Sequence, residues 1–448
     1  MGRLFGTDGV RGIANTELTP HIAFAVGRAF AAHLAARDPA PRVLVGRDTR
    51  LSGPMLEGAL TAGIASAGVD VYAAGVLPTA AIALLARRIG AGGVAITASH
   101  NPAADNGIKL VGPDGFKLTP KAEESIERTV RQILAGEDTL PLPQGDAVGR
   151  IQPYGRAADM YTEALLALSA PDLAGYKVVL DLAHGAAVTV AADLFRRLGA
   201  SVKTLYAQPD GLNINLHCGA TSPGALAEAV VREGADVGFA FDGDADRVIA
   251  VDELGRVVDG DHIMAITALH LLAHDRLPQR TIVATEYSNM GLQDAVQAAG
   301  GRVVTVTAGD RNVVEAMRRG GFTLGGEQSG HIVFLEHSTT GDGLLTALKL
   351  CELLQASGGP LSALRDQMRV YPQVLLNVAV RSKAWEGNAK ITETLEAVRR
   401  ELAGHGRLFI RASGTEPVIR ILGEGRDATQ VRRAVDAVAA AVREELGA

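Results

Sequence analysis

One local pattern recurs three times in this chain and limits what it can become: strand, polar loop, helix, glycine, strand. Residues 42–75 open with Val43-Leu44-Val45, pass through Arg47-Asp48-Thr49-Arg50-Leu51-Ser52-Gly53 and a helical stretch, and reach Ala67-Gly68-Val69 before a second strand. Residues 177–207 repeat it from Val178-Val179-Leu180-Asp181 through His184-Gly185-Ala186 to Leu198-Gly199-Ala200-Ser201-Val202. Residues 281–308 repeat it from Ile282-Val283-Ala284 through Ser288-Asn289-Met290-Gly291 to Ala299-Gly300-Gly301 and Val303-Val304. Such a unit implies parallel strands joined by a right-handed crossover. Three copies in 448 residues, separated by insertions, predict three similar α/β domains with mixed sheets rather than one long sheet. The composition agrees. Hydrophobic residues make up 47% and aromatics only 4%, with 52 glycines, which suits close packing of helices on sheets.

Turn and breaker residues divide the chain. Residues 136–153 are rich in Pro and Gly, lack periodicity and are expected to be a linker. Asp252-Glu253-Leu254-Gly255 is expected to be a hairpin turn, and Val370-Tyr371-Pro372 marks a third boundary. The expected domains are therefore 1–150, 151–253, 254–369 and 370–448. In the last, the pattern predicts a strand at 374–380, a helix at 388–403, strands at 407–410 and 418–422, and a helix at 428–446 with Asp427 as its N-cap. That order predicts an α+β domain.

Charge and cysteine usage exclude several function classes. Lys and Arg total 44 against 50 Asp and Glu, a net charge of −6, and no basic block occurs, so nucleic acid is not an expected partner. Cys218 and Cys351 are far apart and in no metal-binding spacing, as in a reducing compartment. No apolar signal region opens the chain and no window of about 18 uncharged apolar residues occurs, so a cytoplasmic protein with no membrane partner is expected.

Five stretches carry groups suited to chemistry. Thr97-Ala98-Ser99-His100-Asn101-Pro102 follows the apolar run Gly93-Val94-Ala95-Ile96, where a strand gives way to a loop and ligands of open α/β sheets collect. Taken alone, Ser99 suits a capping role, His100 suits a structural hydrogen bond, and neighbours on extended chain point apart. Lys109, in Asn106-Gly107-Ile108-Lys109, taken alone is expected on the surface. Asp242-Gly243-Asp244-Ala245-Asp246-Arg247 lies between two strand-like runs, and carboxylates at i, i+2 and i+4 suit one hard cation, Mg²⁺ or Ca²⁺. A calcium EF-hand is excluded, because Arg247 stands where that loop needs glycine and strands rather than helices flank it. Ser99, or a phosphate on it, is a candidate further ligand, which would make the two loops one site. Gly325-Gly326-Glu327-Gln328-Ser329-Gly330-His331 offers groups that match sugar hydroxyls or an amine, against an ordinary hairpin loop. Arg411-Ala412-Ser413-Gly414-Thr415-Glu416-Pro417, with Arg420 beyond, suits a phosphate-binding turn and lacks the Walker pattern. Phe5-Gly6-Thr7-Asp8-Gly9-Val10-Arg11-Gly12 is too polar and glycine-rich for a helix. A flexible tail is the default, with Thr7 and Arg11 facing a cleft as the alternative.

Together and in this order, these stretches resemble the α-D-phosphohexomutase superfamily over essentially the whole chain. Within it, the N-terminal motif and Gln328 resemble the branch that interconverts glucosamine 6-phosphate and glucosamine 1-phosphate, feeding UDP-N-acetylglucosamine and cell-wall precursor synthesis. The resemblance implies four domains around a central cleft, and a phosphorylated Ser99 that passes its phosphoryl group to the sugar through a 1,6-bisphosphate intermediate, which also serves as primer. It implies one Mg²⁺ per chain held by Ser99 with Asp242, Asp244 and Asp246, and links His100 and Lys109 to acid–base work, with Arg247 beside the metal loop. Thr7, Arg11, Glu327, Ser329, Arg411, Ser413, Gly414, Thr415 and Arg420 would bind the substrate. Small sugar phosphates are the expected partners and a homodimer is a candidate assembly. A phosphoglucomutase/phosphomannomutase of the same fold, a metal-dependent phosphatase and a non-catalytic sugar-phosphate sensor are the alternatives.

Overall fold

The structure is a computed structural model that describes residues 4–6, 8–413 and 417–447. They form two compact units. One runs through Glu286 and resumes at Val303–Gln367. The other combines Tyr287–Arg302 with the chain from Met368.

The first unit carries the repeated pattern. Arg42–Arg47 and Asp70–Val76 pair in parallel, joined through the helix Gly53–Ser66. Lys177–Asp181 pairs in parallel with Ser201–Leu205 through Ala191–Arg197. Thr281–Thr285 neighbours Arg302–Val306. Each sheet then becomes mixed. Gly92–Ile96 lies parallel to Arg42–Arg47 but antiparallel to Asp105–Val111. Val237–Phe241 lies parallel to Lys177–Asp181 but antiparallel to Val248–Asp252. Leu324–Gly326 lies parallel to Thr281–Thr285 but antiparallel to Ile332–Phe334. The expected α/β class with mixed sheets is what the chain adopts, and the Ser99, Asp242 and Glu327 loops each follow a strand. The Asp252 turn is a hairpin to Val257–Val258.

Two expectations change. The N-terminal stretch is no tail: Val10–Ile13 pairs antiparallel with Asp105–Val111, and Phe5 is buried in the core with Phe30 and Leu60. A terminal strand escapes the usual fraying when a sheet edge accepts it. The linker is also tied down. The buried Arg28 guanidinium donates to Asp138 at 2.6 Å and to the carbonyls of Leu140 and Pro141 at 3.1 Å, and Ile151–Pro153 adds a strand parallel to Asp70–Val76.

The second unit holds a three-stranded antiparallel sheet. Val418–Gly425 lies between Gln373–Ala379 and Gly406–Ala412, beside the helices Ala389–Leu402 and Ala428–Leu446. Asp427 accepts from Thr429 N–H at 2.8 Å and Gln430 N–H at 3.2 Å, the expected cap. The crossover helix of the third repeat, Met290–Ala298, belongs to this unit: Met290 N–H donates to Glu424 at 2.8 Å, and Asn289 exchanges two 3.0 Å bonds with the Tyr371 backbone. Among the described residues, no helix is long and apolar enough to cross a membrane.

Glycine allows the closest helix contact of the fold. A Cβ on Gly27 would lie 2.2 Å from Leu60 O, and one on Gly63 2.1 Å from Phe24 O, so the helices Pro20–Ala35 and Gly53–Ser66 touch backbone to backbone. Gly63→Val must force them apart and is expected to cost about 1–3 kcal/mol. Gly58→Ala, on the same helix with nothing within 4 Å, is expected to gain up to about 1 kcal/mol. Urea midpoints of the two variants check both signs.

Candidate active site

Ser99 follows the strand Gly92–Ile96. Its backbone is left-handed, with φ 53, a conformation rare for a residue with a side chain. Thr97 Oγ1 accepts Ser99 N–H at 2.8 Å and steadies this kink. The kink also changes a sequence expectation. On extended chain His100 would point away from Ser99, but here Ser99 Oγ and His100 Nδ1 are 3.4 Å apart.

Ser99 Oγ–H donates to Asp242 Oδ2 at 2.6 Å, so the serine loop and the aspartate loop form one site. Asp242, Asp244 and Asp246 are all buried, and each offers an oxygen within 4.8 Å of the others. Asp244 Oδ1 and Asp246 Oδ1 are buried and accept no hydrogen bond. Buried carboxylate oxygens left without donors are costly. A hard cation with oxygen ligands satisfies them, so the donor set fits Mg²⁺. Burial first, and then the Asp246 and Asp244 charges, push the Asp242 carboxyl well above the usual range.

Lys109 is buried, not on the surface. Its Nζ donates to Asp244 Oδ2 at 2.7 Å and Asp246 Oδ2 at 3.3 Å, and lies 3.3 Å from Asp8 Oδ2. Burial alone would push its pKa down, but Asp244, Asp8 and Asp246 outweigh burial and hold it well above the ordinary lysine value. Burial would raise Asp246, yet Lys109, His331 and Arg247 hold it well below the carboxylate range. His100 goes the other way: burial, then Arg247 and Arg11, push it down to about 4, so it is neutral near pH 7. Arg247 N–H donates to Asp242 Oδ1 at 3.2 Å, and its Nε lies 3.8 Å from Asp246 Oδ1. Arg11 is paired with Asp8.

The sugar-loop candidates sit in the hairpin between Leu324–Gly326 and Ile332–Phe334. Glu327 Oε1 accepts Gly309 N–H at 2.9 Å, and Ser329 Oγ donates to Glu327 Oε2 at 3.4 Å. Gly330, with φ 90, lets this hairpin touch the aspartate hairpin: Val248 N–H donates to Gly330 O at 3.1 Å, and a Cβ on Gly330 would lie 2.2 Å from Val248 O. In the second unit, Arg411 and Arg420 are direct cross-strand partners, which puts both guanidinium groups on one sheet face. Ser413 N–H donates to Val418 O at 2.9 Å, and Lys383 Nζ donates to Ser413 O at 2.6 Å. Thr7, Gly414 and Thr415 lie outside the described residues.

Sequence reasoning missed several groups. Asp8 bonds to Arg11 and Lys117, and Lys117 bonds in turn to Asp310. His331 Nδ1 is 3.6 Å from Asp246, while its Nε2 accepts Gly341 N–H at 3.0 Å. Thr79 Oγ1 donates to Asp244 Oδ2 at 2.6 Å. Asp8 and His331 were within quoted motifs. Lys117, Asp310 and Thr79 had no local signal, because their partners lie far along the chain.

The match to known proteins is extensive. Family models described as phosphoglucomutase/phosphomannomutase alpha/beta/alpha domains I, II and III match residues 2–137, 159–255 and 259–371, and the C-terminal domain model matches 375–441. The chain belongs to the phosphoglucomutase/phosphomannomutase family. It is 51% identical to a phosphoglucosamine mutase of Heliobacterium modesticaldum, over 98% of this chain and 99% of that one. A solved phosphoglucomutase/phosphomannomutase family protein of Burkholderia thailandensis is 26% identical with a TM-score of 0.82, covering 99% and 97% of the two chains. An N-acetylphosphoglucosamine mutase of Aspergillus fumigatus, solved with GlcNAc-6P and magnesium, shares the fold at 18% identity and a TM-score of 0.69, covering 98% and 95%.

Removing the Lys109 charge leaves Asp8, Asp244 and Asp246 without their shared cation. Lys109→Met is expected to destabilise the first unit by about 3–5 kcal/mol in Mg²⁺-free buffer, read as a fall in the urea midpoint.

Proposed function

We propose that this chain is a phosphoglucosamine mutase, interconverting glucosamine 6-phosphate and glucosamine 1-phosphate through a phosphorylated Ser99 and a 1,6-bisphosphate intermediate. One observation carries the transfer chemistry: the Ser99 hydroxyl, on a left-handed backbone, reaches into the aspartate triad at 2.6 Å from Asp242. The choice of an amino sugar is supported by the 51% identical relative that bears this name.

Asp242, Asp244 and Asp246 would hold Mg²⁺ together with the Ser99 oxygen or its phosphate, in keeping with the two donor-less carboxylate oxygens and with the magnesium in the Aspergillus fumigatus enzyme. When bound, Mg²⁺ neutralises charge on the transferring phosphoryl group. In the forward step the P–Oγ bond of phosphorylated Ser99 breaks and a bond from phosphorus to the sugar O1 forms. The O1 proton passes through His100, the neutral imidazole beside Ser99 Oγ, to the departing Oγ, which leaves as the serine hydroxyl. Lys109 balances the carboxylates of Asp8, Asp244 and Asp246. In the return step the bond from phosphorus to the sugar O6 breaks and a bond to Ser99 Oγ forms, and the serine proton passes through His100 to the departing O6. Arg247 holds the Asp242 side of the loop through its N–H. Glu327 and Ser329 would read the sugar, with Thr7 and Arg11 as further contacts. The non-reacting phosphate would fall to Arg411, Ser413, Gly414, Thr415 and Arg420. In this scheme the segments 1–150, 151–253, 254–369 and 370–448 carry the phosphoserine, metal, sugar and phosphate loops in turn.

Ser99→Ala is expected to lower mutase turnover at least about 1,000-fold while leaving the thermal melt unchanged. Wild-type-like turnover in that variant would remove Ser99 from the mechanism. Chelation with EDTA is expected to abolish activity and added Mg²⁺ to restore it. Assayed in parallel with Mg²⁺ and a trace of bisphosphate, glucosamine 6-phosphate is expected to be preferred over glucose 6-phosphate and mannose 6-phosphate. Preference for either of the latter would make the chain a phosphoglucomutase/phosphomannomutase, and release of inorganic phosphate would make it a phosphatase.

A further inference from the structure

Ser99 holds a strained backbone, and something must keep it there. Two side chains from different sheets converge on the same two carbonyl groups. Arg50, in the loop after Arg42–Arg47, is fully buried; its Nη2 donates to Ser99 O at 3.0 Å and to Asn101 O at 2.8 Å. Asn215, in the loop after Ser201–Leu205, donates through Nδ2 to Ser99 O at 2.9 Å and to Asn101 O at 3.1 Å. Arg50 Nη1 reaches on to Asp105 O at 2.9 Å and to Pro102 O, so one guanidinium spans the whole loop. Asp48, also fully buried, accepts Arg50 Nε and Arg50 N, each at 2.9 Å, and fixes the fork. Asn215 is itself left-handed at φ 59, and its N–H donates to Ala183 O at 3.0 Å. The third neighbour is the metal loop: a Cβ on Gly243 would lie 2.6 Å from Ser99 O and 2.9 Å from Asn215 Nδ2.

We propose that Arg50 and Asn215 form a two-sided clamp on the Ser99 and Asn101 carbonyls that holds the Ser99 side chain toward Asp242. They are positioning residues. The contacts that define the clamp are to main-chain carbonyls, not to the Ser99 hydroxyl or the triad carboxylates. Arg50 sets the loop against its own sheet. Asn215 sets it against the five-stranded sheet that carries the aspartate loop. The 2.6 Å separation of Ser99 Oγ and Asp242 Oδ2 thus depends on both. A released loop relaxes toward ordinary backbone angles, and a reacting atom displaced by about 1 Å can lose about a hundredfold in rate.

The kinetic part rests on Ser99 as phosphoryl carrier, whereas the conformational part does not. Asn215→Asp is nearly isosteric and removes the shared donor; Arg50→Lys keeps the charge and loses the fork. Each is expected to lower kcat about tenfold or more, with KM for the sugar phosphate within about twofold. Amide hydrogen exchange over residues 97–106 is expected to quicken while residues 281–285 stay as in the wild type. The same local quickening is expected when Asn215→Asp is placed on Ser99→Ala. Unchanged exchange over 97–106, a kcat within about twofold of wild type, or a loss seen only in KM would each overturn the clamp. If Ser99→Ala turns over normally, the carrier assignment falls, and the exchange data alone decide the clamp. Should Asn215→Asp fail to fold, Asn215→Ser, which removes the amide without adding charge, is read by the same criteria.

Discussion

The ammonium of Lys109 is what the first unit is arranged around. It stands on the strand Asp105–Val111 of the six-stranded sheet and reaches the aspartates of the five-stranded sheet. Carboxylates so deeply buried would be untenable without an opposite charge at short range. Asp8 extends the network to Lys117, and Lys117 to Asp310, which opens the helix Asp310–Gly320 beside the four-stranded sheet. Three sheets thus meet at one alternating chain of charges. Arg311, next on that helix, pairs with the buried Glu123 through both terminal nitrogens, at 3.0 and 2.5 Å. The helix Asp310–Gly320, whose N-cap Gly309 donates to Glu327, is therefore anchored on the helix Pro120–Leu134.

This network leaves a defined role for a cation. Lys109 and Thr79 saturate Asp244 Oδ2, whereas Asp244 Oδ1 has no donor. Asp242 is engaged by Ser99 and by the Arg247 amide rather than by an amine. The oxygens that Lys109 engages, Asp244 Oδ2 and Asp246 Oδ2, are thus not the two that lack a hydrogen-bond donor and would be open to a metal. The charges also set Lys109 and His100 apart: three carboxylates hold Lys109 above the ordinary lysine value, whereas burial, then Arg247 and Arg11, push His100 down to about 4.

What the chain reveals by itself follows from how far apart partners lie. The repeated strand–loop–helix pattern, the Asp242 loop between two apolar runs and the cap at Asp427 are local, and the structure has each of them. The Lys109 environment is assembled from residues as far apart as Asp8 and Asp246, so a lysine that reads locally as a surface residue is one of the most buried charges in the chain. Arg50 and Asn215 escaped for the same reason, since their partners are main-chain carbonyls, which carry no side-chain signature. His100 was misjudged on geometry: the rule that neighbours diverge assumes extended chain, and one left-handed residue cancels it. The N-terminal strand was hidden because its stabilising edge, Asp105–Val111, is remote in sequence.

The loops meet through main chain as well as through side chains, with glycine at the closest approaches. Gly243 lies against the Ser99 carbonyl, and Gly330 against that of Val248, each closer than any Cβ would permit. Backbone contact brings the serine, aspartate and sugar loops close together, and the Arg50 and Asn215 side chains hold the serine loop in place. Gln328 meets the neighbouring segment through its carbonyl, which accepts Gly260 N–H at 3.0 Å, so that contact does not depend on the identity of its side chain. Glu327 is different, since its carboxylate is committed to Gly309 N–H and Ser329 Oγ. Glycine-mediated contact thus brings the hairpins that carry Asp242 and Glu327 together, while the Glu327 and Ser329 side chains bond to each other on their own hairpin.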